Sequence, residues 1–111
     1  MSLPFPLHFT IEGADWKVRM RKRVLDDAGN ECRGLTDPIK RVIYLDNTLP
    51  AKEMIWIFWH EYMHAVLHEA SVTGNDGGLD GIVEEIICDK FANAMTRDKT
   101  VTWKRKKPAS K

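Results

Sequence analysis

At 111 residues the chain has room for one domain with a modest core and none for a second folded unit. Its 17 basic and 16 acidic residues leave a net charge of +1, so total charge gives no argument for a polyanion-binding or membrane-surface protein. The two cysteines, Cys32 and Cys88, lack the CxxC spacing of a zinc ribbon or redox pair and are expected to be free thiols in a reducing compartment.

The opening stretch "MSLPFPLHFT" has no long apolar run and is not read as a signal peptide. The longest apolar run, "MIWIFW" at 54–59, is too short to span a bilayer, so the expectation is a soluble cytoplasmic protein with no membrane partner. "LHFTIEG" (7–13) and "WKVRMRKRV" (16–24) alternate as strands do. In the second, Val18, Met20 and Val24 face one way while Lys17, Arg19, Arg21 and Arg23 face the other. "DDAGNE" (26–31) is a turn, and "IKRVIYLD" (39–46) reads as a third strand after Pro38. Pro50 suits the first turn of a helix running to about Glu69, "GNDGGLDG" (74–81) a hinge, and "IVEEIICDKFANAM" (82–95) a second helix that starts near Asp80 or Gly81. Residues 1–103 then form a single domain, and 104–111, beginning Lys104-Arg105-Lys106-Lys107, a basic flexible tail. The fold class that follows is α+β, with an antiparallel or mixed three-stranded sheet packed on the two helices.

The first helix carries the chemistry. With about 100° per residue and His60 as zero, His64 falls at about 40° and Glu61 at about 100°, while Trp59, Ile55, Tyr62 and Val66 occupy the far side. Such a helix lies between layers, where its polar residues are costly unless something satisfies them, and a divalent metal does so. His60-Glu61-Tyr62-Met63-His64 is an HExxH arrangement. Two histidines one turn apart can present nitrogens to one zinc ion at about 2.0 Å, and the glutamate after the first can reach its water as general base. His68 lies about 12 Å along the axis from His60, too far to share one ion with it in an unbroken helix. The second helix offers three carboxylates, Glu84, Glu85 and Asp89. Glu85 and Asp89 are one turn apart on one face, and Glu84 points about a quarter-turn (100°) away. A ligand glutamate followed one turn later by an aspartate that accepts from a ligand histidine is one workable design.

"HEYMH" followed by "EEIICDKFANAM" resembles the gluzincin metallopeptidases, and more closely the small ImmA/IrrE-type metallopeptidases of bacteria and phages. In these a strand similar to "GLTDPIKRVIYLD" precedes the HExxH helix, and the likeness covers about residues 33–97. The resemblance implies a zincin-like domain that hydrolyses an intracellular protein or peptide with Zn2+. It implies His60, His64 and Glu85 as ligands, Glu61 as catalytic base, and Asp89 behind a ligand histidine. His68, Tyr44 and His8 are candidates for contact with substrate or the developing oxyanion. An extended substrate could lie along a strand edge. If the basic face at 17–23 borders the cleft, acidic segments are favoured.

The alternative is a zincin-like module without catalysis. It would either associate with nucleic acid through the basic strand and tail, the less favoured partner, or bind a protein through an exposed patch that includes Trp56 or Trp59.

Overall fold

The computed structural model describes residues 5–72 and 80–98. The elements are β1 (His8–Ile11), β2 (Ala14–Arg21), β3 (Val24–Leu25), β4 (Glu31–Cys32), β5 (Gly34–Asp37), β6 (Val42–Asp46), α1 (Ala51–Glu69) and α2 (Gly81–Asn93), with a π-helical turn at Ala94–Asp98. This is an α+β domain with a mixed sheet and two helices.

Alternation makes β2 what it is. Trp16 and Val18 are buried on its inner face, and Lys17, Arg19 and Arg21 are exposed on the other. β1 pairs antiparallel with β2 through a two-residue turn, Glu12 and Gly13, at φ 48° and 85°. Two positive φ values in succession are those of a type I′ hairpin, whose twist matches the flanking strands. β6 then runs parallel to β2, with Val18 opposite Ile43 and Met20 opposite Leu45, and β5 closes the order β1-β2-β6-β5 as an antiparallel edge.

The main sheet therefore has four strands where three are expected. Gly34–Asp37 enters the sequence reading only as the start of the strand-like stretch "GLTDPIKRVIYLD", and not as a strand of its own, because all four residues are half-buried and show no alternation. The expected strand 39–46 starts at Val42: Asp37 Oδ1 accepts from the N–H groups of Ile39 and Lys40, each at 3.1 Å, and makes that stretch a turn. The expected strand 16–24 breaks at Lys22, since β6 ends at Asp46 and Arg21 is the last residue it can pair. The chain restarts at Val24 to form a small β3–β4 hairpin, closed by Asp26 Oδ1 accepting from Ala28 and Asn30 N–H at 2.9 Å.

α1 covers the inner face. Ile57, Phe58 and Ala65 pack with Trp16, Val18, Ile43 and Leu45, and Phe5 stacks on Phe58 at 4.7 Å between ring centroids. α1 begins right after Pro50 and ends in a Schellman motif: Val72 N–H donates to Leu67 carbonyl (3.1 Å) and Ser71 N–H to His68 carbonyl (2.9 Å), with Ser71 at φ 60°. α2 starts where Asp80 Oδ1 accepts from Ile82 N–H at 2.9 Å, and it packs against α1. Trp56 and Trp59 are only half-buried but engaged: Trp56 Nε1 donates to Asn93 Oδ1 at 2.9 Å, and Trp59 meets Phe58, Tyr62 and Phe91 edge-on. Trp56 also lines a space of about 530 Å³ with Ile55 and Met95. Most of the expected hinge (74–79 of 74–81) and the expected basic tail (104–111) lie outside the described residues. Among the described residues no helix is long and apolar enough to cross a membrane.

Candidate metal centre

α1 and α2 bring His60, His64 and Glu85 together, with one donor atom from each lying within 4.8 Å of the other two. The two Nε2 atoms are 3.3 Å apart. Glu85 lies across both, Oε1 at 3.1 Å from His60 Nε2 and Oε2 at 2.9 Å from His64 Nε2. Two ligands bound at 2.0–2.1 Å in tetrahedral geometry stand about 3.3 Å apart, so these separations are those of a set that shares one small ion.

Tautomers sharpen the fit. His64 Nδ1 is 2.5 Å from Glu84 Oε2, and both side chains are largely buried. An ionised carboxylate only accepts, so Glu84 favours the tautomer with the proton on Nδ1, and in a neutral ring the lone pair is then on His64 Nε2. His60 Nδ1 is 2.9 Å from Asp89 Oδ1, within ion-pair range but off the N–H axis, so it is the one buried side-chain nitrogen or oxygen without an aligned hydrogen bond among the described residues. With both rings neutral and protonated at Nδ1, two nitrogen lone pairs and a carboxylate would converge. Acceptors facing one another at 3 Å repel unless a cation lies among them.

Glu61 is close but separate. Thr36 Oγ1 lies 2.7 Å from Glu61 Oε1 and 3.0 Å from the Glu61 carbonyl oxygen, and its single proton serves one of them at a time. Burial raises the Glu61 carboxyl above its ordinary value, opposed by the Thr36 hydrogen bond and by the two histidines. β5 makes the contact possible at Gly34: a Cβ there would come within 2.5 Å of Ile57 Cγ2 and 3.1 Å of Glu61 Cγ. Only a residue with no side chain lets the strand lie this close to α1.

The cleft over these groups has a volume of about 400 Å³ and includes Cys32, Thr36 and His68 in its walls. His68 is exposed there, outside the ligand cluster. Tyr44 is not at the cleft. It is on the outer sheet face opposite Arg19, with the Arg21 guanidinium carbon 5.4 Å from its ring centroid. His8 is on β1, 3.9 Å from Asp15, also outside the cleft walls. The basic residues of β2 share Tyr44's face, with the sheet between them and α1. None of them lines the cleft, so the condition under which acidic segments would be favoured is not met; they form an exposed strand face, with Arg21 and Arg23 beside Asp27, Leu35 and Asp37. Cys32 and Cys88 are both free thiols. Cys88 is fully buried, and burial, reinforced by Glu84 and Glu85, pushes it up to about 12.

Glu84 is the residue that sequence reasoning misses. Its quarter-turn offset from Glu85 reads as facing away, yet that offset carries it to the second histidine. The available signal was stoichiometric: if both histidines are ligands, each needs a partner for Nδ1, and Asp89 serves only one. No protein-family model, curated protein or solved structure matches the chain.

Proposed function

We propose that this protein is a zinc-dependent peptidase of zincin type, akin to the ImmA/IrrE-like enzymes, with His60, His64 and Glu85 as ligands. The observation that carries the reading is the convergence of two Nε2 atoms and one carboxylate at 2.9–3.3 Å on helices α1 and α2. A His2Glu set suits zinc above the harder divalent ions and, as a three-ligand set, keeps a position open for chemistry. Zinc held there would supply Lewis acidity toward a peptide carbonyl and lower the pKa of a coordinated water to roughly 7.

The remaining chemistry belongs to the chain. Glu61, in the cleft wall beside His60 and His64, accepts the proton of the attacking water and returns it to the leaving amine. Thr36 holds that carboxylate in place from β5. An extended substrate fits along the free edge of β5, where backbone groups are open to pairing and His68 faces the bound chain.

The test pairs metal content with hydrolysis. Glu61→Gln is expected to retain one equivalent of zinc and to lose cleavage of an unbiased peptide library by about 100-fold or more. Full activity in that variant removes the general-base role.

A further inference from the structure

His60 and His64 are held in different ways. Glu84 engages the His64 ring at Nδ1, whereas His60 Nδ1 has no aligned hydrogen bond among the described residues, although the His60 side chain is buried. What lies against the His60 ring is the indole of Trp56, one turn earlier on α1, at 5.2 Å between centroids and 27° between planes. His64 meets the same ring edge-on at 4.9 Å. Trp56 is in turn tied across the helix interface, since its Nε1, which can only donate, gives its proton to Asn93 Oδ1 at 2.9 Å. Packing alone does not fix the indole: Trp56 is half-buried and borders the space of about 530 Å³ that it shares with Ile55 and Met95.

Asn93 is part of a pattern. Glu85, Asp89 and Asn93 follow one another by one turn on α2, and they reach His64, His60 and Trp56, which follow one another by one turn on α1 in the opposite direction. Trp56 and Asn93 are thus the third rung of a polar ladder whose first two rungs are the metal cluster and its neighbouring carboxylate.

We infer that Trp56 and Asn93 are positioning residues for the metal centre: the indole holds the His60 ring with Nε2 turned toward His64 and Glu85, and Asn93 locks the indole. Neither belongs to the ligand group itself. The inference rests on the metal reading of His60, His64 and Glu85, and it adds what orients the one ligand histidine that no aligned hydrogen bond fixes. An imidazole free to turn about χ2 presents Nε2 to an ion in only a fraction of its orientations, and the apparent affinity falls by that fraction. A flat wall stacked on the ring removes the orientations that would clash with it.

Zinc affinity, measured by chelator competition on protein whose metal-free fold is first checked by circular dichroism, tests this. Trp56→Leu is expected to bind zinc about tenfold more weakly. Trp56→Phe keeps a ring against His60 and loses only the Nε1 donor, so it should recover most of that loss and bind about threefold more weakly than the unsubstituted protein. Asn93→Ala should match Trp56→Phe, and Trp56→Phe/Asn93→Ala should be no weaker than either, because all three remove the same bond. Trp59→Leu is the control. That ring packs at the same interface on Phe58, Tyr62 and Phe91 and stacks on neither histidine, so its zinc affinity should stay within about twofold of the unsubstituted value. Unchanged affinity in Trp56→Leu or Asn93→Ala, or an equal loss in Trp59→Leu, overturns the inference. Should Trp56→Leu fail to fold, Asn93→Ala against Trp59→Leu decides it. A failure of the metal reading looks different: the unsubstituted protein then binds no zinc, and the inference falls with it. Zinc binding in the expected order without peptide cleavage sinks the peptidase reading alone.

Discussion

Glu84 Oε2 lies 2.5 Å from His64 Nδ1, so the α2 residue before the proposed ligand Glu85 fixes the ring of His64 opposite. Asp89 stands at the corresponding nitrogen of His60, 2.9 Å away and off-line. If these carboxylates orient zinc ligands, Glu84→Ala and Asp89→Ala each weaken zinc affinity by about 10 to 100-fold while the fold survives. The larger loss is expected at Glu84, whose side chain is 16% exposed against 52% for Asp89. Competition with a chromogenic chelator measures both, and unchanged affinity at either position shows a carboxylate that is merely solvated.

The identity of the third ligand is decided by a second pair of variants. Glu85→Ala should purify largely metal-free, and His68→Ala fully loaded, because His68 is on the cleft wall and outside the group whose donors lie within 4.8 Å. Atomic absorption reads the outcome directly. The reverse pattern would make this a three-histidine site and end the gluzincin likeness.

Gly34 sets how closely β5 approaches the HExxH helix. A Cβ there meets Ile57 Cγ2 at 2.5 Å, inside any real contact, so Gly34→Ala must push strand and helix apart. The expected cost is about 1–3 kcal/mol, read as a lower urea midpoint. An unchanged midpoint would mean that β5 can be displaced freely.

Glu69 ties the end of α1 to the sheet. It accepts from Arg41 Nε at 2.6 Å and from Trp16 Nε1 at 2.9 Å. The Arg41 hydrogen bond, with smaller help from Trp16 and opposed by desolvation, holds its carboxyl below the ordinary value. A carboxylate depressed in the folded state contributes stability that is fully present above its unfolded pKa, about 4.3, and is lost as pH falls through the folded value. The stability gap between the unsubstituted protein and Glu69→Gln should thus be widest near neutrality and narrow on acidification below about pH 4. Urea titrations at several pH values test this, and a gap that does not change with pH removes the ion pair as its source.

Helix periodicity was enough to place His60, Glu61 and His64 on one side of α1 and Glu85 with Asp89 on one face of α2, because side-chain direction within a helix depends only on spacing. The β1–β2 turn went unread, since Glu12 and Gly13 read as the end of the first strand, although both adopt positive φ in the turn. Distance across elements was not legible. Nothing local in Gly34–Asp37 marks an edge strand, whose existence depends on β6 offering a partner and on α1 leaving room at Gly34. Glu84 reaches His64 because of the way α2 crosses α1, which no spacing within α2 encodes. The basic residues of β2 were correctly set on one face by alternation, but which face meets the cleft was decided only when α1 covered the other. Sequence determined which side chains point together within each element. Tertiary packing decided which of those sets face one another, and so where charge, acceptors and open space coincide.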